Sequence, residues 1–410
     1  MPNETLEALS PPAALLDAAR RLRDAGCEAW LVGEAVHALL RGEIPISFEL
    51  ATSASPERIL ELFPAAVPTQ VACGIVTIPT SDGPIDAAGF RNGPGVADDL
   101  GHRDFTFNAM AYDPVEGQLL DPFSGCKDLR EGVLRCAGSA DARLSEDPLR
   151  ALRAAQLAGA YQLRVDPTLE RALRRHAASL LEVDVGRCRR ALSRILLAPG
   201  AARALALLRQ TGLQEILVPG VRSDAGALVE SMPRRLPPRL AAWLRGADAA
   251  PVLRRLRFGL GLSRLVLRLL EYHPLDTAVD PRNDASVRKL LRVLPEEDLS
   301  ALFQMRDQEL EQLGMAANGG VQTEVTAAQT GLDALRRAID RVGANDERRR
   351  KRTDLAVGGR DVMEALGCGP GRRVGLALAY LADRVAGDPG CNSPEALMTL
   401  LAEWSEAHSG

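Results

Sequence analysis

The sequence predicts an α+β protein, a small mixed β-sheet near the N-terminus followed by an all-helical remainder. Between Ala29 and Gly138, short β-like runs alternate with helical ones. After Gly138, apolar residues recur at three- and four-residue spacing to the end of the chain. No internal repeat or low-complexity tract interrupts either part. With 46% hydrophobic and 25% charged residues, the 410-residue chain can bury a core across two to four domains, which excludes a disordered chain or a miniature disulfide scaffold.

In chain order, Trp30-Leu31-Val32 reads as a strand leading into a helix over Glu34–Leu40, and Ile46–Leu50 as a strand leading into a helix over Pro56–Phe63. Gly74–Pro79 and Ile85–Phe90 are further strands, and Met110–Asp121 a hairpin around Pro114 to Gly117. The helices that follow are predicted over Pro148–Ala160, Pro167–Leu181 and Arg187–Leu197, with Asp147 placed to start the first. Breaks fall near Pro219–Ala225, Pro274–Asp284 and Ala316–Gln322, and a last block runs from about Gly331 to Trp404.

The net charge of −4 conceals an asymmetry: residues 1–140 carry −10, residues 141–215 carry +5, and the remainder carries +1. An acidic front and an Arg-rich middle can present different faces to different ligands. The seven cysteines (Cys27, Cys73, Cys126, Cys136, Cys188, Cys368, Cys391) form no C-x-x-C pair, which argues against structural zinc and a secreted disulfide framework and for a reducing cytoplasm. Met1 to Ala14 lacks the basic and apolar regions of a signal peptide, and no window approaches a membrane span.

The informative motifs begin with Leu31-Val32-Gly33-Glu34-Ala35-Val36-His37-Ala38-Leu39-Leu40-Arg41-Gly42 and Ser47-Phe48-Glu49-Leu50-Ala51-Thr52. Arg103-Asp104-Phe105-Thr106-Phe107-Asn108-Ala109-Met110-Ala111-Tyr112-Asp113 follows, then Asp121-Pro122-Phe123-Ser124-Gly125, Asp128-Leu129 and Gly132-Val133-Leu134-Arg135. Further on stand Glu146-Asp147-Pro148-Leu149-Arg150-Ala151-Leu152-Arg153-Ala154 and, near the end, Gly359-Arg360-Asp361-Val362-Met363 with Gly367, Pro370-Gly371 and Gly375. Together these resemble CCA-adding enzymes and bacterial poly(A) polymerases, the class II tRNA nucleotidyltransferase family of the polymerase-β superfamily. The resemblance covers about residues 28–215 well and 355–404 moderately. It implies a nucleotidyltransferase-like head (1–140), a helical neck (141–215), a helical body (216–335) and a helical tail (336–410).

In that family a D-h-D pair, h being apolar, and a third carboxylate on a neighbouring strand hold two Mg²⁺ ions. Alternate strand residues share a face, so such a pair can clamp metal together. The ions activate the RNA 3′-hydroxyl and neutralise the triphosphate. Here the register puts Ser47 and Glu49 at the two aspartate positions, with Asp86 the candidate third carboxylate; Glu49 and Asp86 are thus the candidate catalytic and Mg²⁺-binding residues. Ser47 is a poor Mg²⁺ ligand. Glu49 is a methylene too long, a displacement of about 1 Å that can cost on the order of a hundredfold in rate. The phosphate turn is altered too: Glu34 replaces the second Gly of G-G, and His37 and Ala38 replace an Arg and an Asp. Only 11 residues, Asn92–His102, stand where the family usually carries a longer loop.

Other positions are kept. The resemblance gives Gly33, Arg103, Asp104 and Asn108 to ribose and phosphates, and Asp147 and Arg150 to the edge of the incoming base. At i, i+3 on a helix the last two would share a face. The plainer alternatives are that Asp147 starts a helix and pairs with Arg150, and that Asp104 and Asn108 tie the helix to the hairpin. The neck pattern E-R-I-x-x-E-L is poorly kept in Gly186-Arg187-Cys188-Arg189-Arg190-Ala191-Leu192. His37 is expected on an exposed helix face, Arg348-Arg349-Arg350-Lys351-Arg352 as a solvated patch, and Trp30, Trp243 and Trp404 in packing roles.

Three functions follow. The first is a family member that binds RNA at the tRNA 3′ region, and ATP or CTP, with nucleotidyl transfer impaired or lost. The second is an active CCA- or A-adding enzyme that uses Mg²⁺ through Glu49 and Asp86. The third is a protein-interaction scaffold that has given up RNA.

Overall fold

The computed structural model describes residues 11–71, 74–91, 93–315, 319–353 and 355–407. Met1 to Ser10, Cys73, Asn92, residues 316–318 and the side chains of Arg348 to Arg352 lie outside the described residues. The chain falls into two compact units, residues 1–267 and 268–410.

The first unit opens with α1 (Ala13–Asp24), β1 (Ala29–Val32), α2 (Glu34–Leu40), β2 (Phe48–Thr52), α3 (Pro56–Leu62), β3 (Val67–Gln70), β4 (Ile75–Ile78) and β5 (Ile85–Gly89). It continues through α4 (Val96–Gly101), a 3-10 turn (Thr106–Asn108), β6 (Ala111–Asp113), β7 (Gln118–Leu120), α5 (Gly125–Glu131) and β8 (Val133–Leu134). The first seven strands form one sheet in the order β3-β4-β5-β2-β1-β6-β7. Only the central β2–β5 pair is parallel. The sheet is mixed, as the alternating runs predict, and its seven strands make it larger than expected.

The expected strand Ile46–Leu50 starts two residues later, at Phe48. Pro45 cannot donate to a ladder, and Ile44 and Ile46 stand 92% and 94% exposed. β2 instead extends to Thr52, whose Oγ1 bonds the Glu28 carbonyl and accepts from Ala54 N. β3 and α4 were not anticipated. Every residue of β3 is exposed, so it has no buried face to produce a pattern.

Helices follow from α6 (Ala140–Glu146) and α7 (Arg150–Ala160). After the short β9 (Arg164–Val165), which pairs in parallel with β8, come α8 (Pro167–Arg175), a 3-10 segment (Ala177–Glu182), α9 (Val185–Leu197) and α10 (Ala201–Gln210). α8 starts where Asp166 accepts from Thr168 N and Leu169 N ahead of Pro167. α11 to α15 (Leu213–Leu217, Ala225–Ser231, Leu236–Leu244, Ala249–Arg255, Leu260–Glu271) complete the series, with Trp243 1% exposed in its core.

The predicted start of α7 at Pro148 is corrected to Arg150. Asp147 has extended backbone (φ −145°, ψ 100°) at the end of α6, and its carboxylate caps only the turn at Leu149 N.

The second unit holds α16 (Leu275–Ala278), α17 (Asp284–Val293), α18 (Glu296–Met315), α19 (Gly319–Thr353), α20 (Gly359–Leu366), α21 (Arg372–Gly387) and α22 (Pro394–Ala407). α20, α21 and α22 close around Val362, Val374, Ala377, Leu381, Leu397 and Trp404. No helix among the described residues is long and apolar enough to cross a membrane. The six described cysteines are all unbridged thiols.

Candidate functional site

The site is organised by the register of β1 on β2, which sets Val32 opposite Glu49. The chain leaves β1 through Gly33 at φ +72°, and a Cβ there would stand 3.0 Å from Glu49 Oε2 and 3.2 Å from Arg103 Nη1. Glycine is required both by this left-handed backbone and by the closeness of those side chains. A cavity of about 290 Å³ opens beside this turn. Gly33, Glu34, Glu49, Arg103, Asp104 and Asn108 line it together with Asp147, Arg150, Arg153 and Arg187, and Arg91, His102 and Leu149 also take part.

The structure therefore brings together seven of the residues singled out in the sequence: Gly33, Glu49, Arg103, Asp104, Asn108, Asp147 and Arg150. Ser47 and Asp86 are not among its lining residues. Ser47 is exposed in the loop before β2. Asp86 stands opposite Glu49 in the parallel β2–β5 register, with Oδ1 accepting from Thr77 Oγ1 at 2.5 Å. Arg153 and Arg187 were not singled out. The signal for Arg153 was its i, i+3 spacing from Arg150 on α7; that for Arg187 was the poorly kept neck pattern that contains it.

Ion pairs knit the lining. Arg103 Nε donates to Asp99 Oδ2 at 3.0 Å, and its Nη1 lies 3.6 Å from Glu49 Oε2. Asp104 Oδ1 accepts from Asn108 Nδ2 and Phe105 N, while Oδ2 pairs with Arg153 Nε at 2.7 Å, so these residues tie the 3-10 turn to α7. Asp147 does not pair with Arg150. It meets Arg187 at 3.0 Å, and Arg150 bonds Glu146 at 2.9 Å and the His102 carbonyl at 2.8 Å.

His37 corrects the expectation of an exposed helix face. It is 1% exposed, edge-on to Phe107 and Tyr161 at ring distances of 5.2 and 5.3 Å. Burial, helped by Arg41 and Arg153, pushes its pKa down to about 4, so the ring is neutral at physiological pH. Burial and the Glu34 carboxylate, which accepts from its hydroxyl, push Tyr161 up to about 12.

Other motif residues serve the frame. Asp121 accepts from Gly125 N and Cys126 N and starts α5. Asp128 accepts from Thr106 Oγ1 and Arg135, and Arg135 reaches Asp166, joining the 3-10 turn to β8 and α8.

Mg²⁺ requires near-octahedral oxygen coordination and usually keeps several waters, using one or two carboxylates plus phosphates. The donors at the expected positions are one exposed hydroxyl, a carboxylate facing an arginine and a carboxylate bonded to a threonine. Among the described residues no group of three or more His, Cys, Asp or Glu is placed to hold a metal ion.

A mixed sheet thus offers a glycine turn and a carboxylate to an arginine-lined cavity, and helices continue it. Residues 91–135 match the family model "Poly A polymerase head domain", and residues 162–224 match "Probable RNA and SrmB- binding site of polymerase A". The CCA-adding enzyme of Lactobacillus johnsonii is 33% identical over 224 residues, which is 51% of this chain and 56% of that protein, so the match spans little more than half the relative's length. The CCA-adding enzyme of Geobacillus stearothermophilus is 28% identical over 405 residues, 94% of this chain and 95% of that one. In fold, the chain is similar to the Bacillus stearothermophilus CCA-adding enzyme solved in complex with CTP (TM-score 0.65, 24% identity, 99% of each chain covered). These matches support a relation to the tRNA nucleotidyltransferase / poly(A) polymerase family.

Proposed function

We propose that this protein binds the 3′ region of tRNA together with ATP or CTP, and that its nucleotidyl transfer is impaired or lost. The observation that carries this reading is the donor set at the family's metal positions. Ser47 offers only a hydroxyl, Glu49 faces Arg103, and Asp86 bonds Thr77. This set fits a pair of Mg²⁺ ions poorly, because a neutral hydroxyl stands where one carboxylate should and the Glu49 carboxylate already faces a guanidinium. Nucleotide binding has separate support in the Gly33 turn and in Arg103, Asp104, Asn108, Asp147 and Arg150, which meet at one cavity. RNA binding is supported by the basic neck and by the relatives' activity as CCA-adding enzymes. The same reading divides the chain functionally into head (1–140), neck (141–215), body (216–335) and tail (336–410), and places it in the cytoplasm.

One feature favours the active alternative: Glu49 and Asp86 are direct neighbours across parallel strands. The deciding assay incubates the protein with Mg²⁺ or Mn²⁺, labelled ATP and CTP, and tRNA lacking its 3′ end. The expected result is tRNA binding without incorporation above background. Incorporation that Glu49→Ala and Asp86→Ala abolish would overturn the proposal and make both carboxylates catalytic.

A further inference from the structure

Arg103 is a buried cation at the wall of the cavity, its side chain 10% exposed. Its anchor, Asp99, is 1% exposed, accepts from Arg91 N and forms an ion pair with Arg91 Nε at 3.3 Å, so one carboxylate serves two guanidinium groups. Elsewhere around the cavity Arg153 pairs with Asp104 and Arg187 with Asp147, while Arg150 shares Glu146 with Arg143. Arg91 and Arg103 thus set two positive charges against the one negative charge of Asp99 at this wall of the cavity. A second carboxylate faces Arg103: Glu49, 3.6 Å away and half-exposed, a distance that is an ion pair without a good hydrogen bond.

A guanidinium group is permanently charged and offers a planar fork that matches phosphate oxygens bidentately. Resting on the reading that a nucleotide binds in this cavity, we propose that it holds a nucleoside triphosphate without a divalent cation. Arg103, fixed by Asp99, supplies the positive charge that a metal ion would otherwise supply. Glu49 then acts as a weak internal competitor: it faces Arg103 and yields it to phosphate when nucleotide binds. This accounts for a longer carboxylate at the position of a metal-binding aspartate. Glutamate reaches toward the arginine across Gly33, where any larger residue would obstruct it.

The test is equilibrium binding of CTP and of ATP to the full chain, in EDTA and in excess Mg²⁺. Dissociation constants within about threefold of each other in the two buffers are expected, because the arginine fork remains charged in both. Glu49→Gln removes the competing charge and keeps the shape, so binding in EDTA should tighten by roughly two- to fivefold, the scale of a half-exposed ion pair. Arg103→Lys loses the bidentate fork and should weaken binding by about tenfold or more in both buffers; Glu49→Gln keeps the test decisive should that buried variant fold poorly. Binding that appears only with Mg²⁺, or that Glu49→Gln weakens, would overturn metal-free binding while leaving the nucleotide reading intact. Failure to bind either nucleotide in either buffer would overturn both.

Discussion

His37 occupies an apolar slot where a polar ring is costly to place. Among the described residues neither ring nitrogen has a hydrogen-bond partner, and Phe107 and Tyr161 enclose it. Its pKa of about 4 in the folded protein lies below the ordinary 6.5. The unfolded chain therefore takes up the proton first as the pH falls. This contribution to stability is full above about pH 6.5 and is lost progressively toward pH 4, by about 3 kcal/mol at the extreme. His37→Phe, which keeps the edge-on ring contacts, should remove most of that loss. Thermal unfolding of both proteins at pH 7 and pH 5 checks this, and an equal acid shift in the two would refute it. The sequence did not reveal this residue's environment, because burial of His37 depends on Tyr161, at the end of α7. The pairing of Asp147 with Arg187 was hidden for the same reason: 40 residues separate two charges that only the folded backbone brings together.

At the scale of elements, legibility follows from whether a segment has one buried face. β1 and α2 could be read because their apolar residues are nearly all inside. β3 could not, being exposed along its length, and Ile46 misled because an apolar residue stands in water. Helix α7 illustrates packing that no propensity reveals. A Cβ on Gly159 would lie 2.6 Å from the Gly200 carbonyl and 2.9 Å from Ala204 Cβ, so glycine sets how closely α7 approaches α10. Gly159→Ala gains about 1 kcal/mol of helix propensity but overpacks the crossing by about 1–3 kcal/mol. A net lowering of the unfolding midpoint is expected. Gly343, within α19, has no neighbour within 4 Å, so Gly343→Ala should instead raise stability by up to about 1 kcal/mol. Urea midpoints of the two variants moving in the same direction would show that propensity, not the helix crossing, governs Gly159.

Across the whole molecule, the sign of charge changes where the sheet gives way to helices. Residues 1–140 carry −10 and residues 141–215 carry +5. A polyanion such as tRNA is repelled by the first segment and attracted by the second, so its contacts should fall on the neck and depend on salt. Arg171 and Arg190 are exposed on α8 and α9 and lie outside the cavity lining. Reversing both to Glu should weaken tRNA binding and flatten the dependence of log K on log salt by about 1.5, since each lost phosphate contact removes roughly 0.7–0.9 from the slope. Binding of CTP should be unchanged, because the cavity charges are intact. Filter binding between 50 and 200 mM salt, a range over which phosphate-dominated complexes lose orders of magnitude, measures both quantities. Salt-independent tRNA binding, or none in the parent protein, would favour a scaffold that has given up RNA. A parallel loss of tRNA and CTP binding would instead mean that the reversal had disturbed the fold.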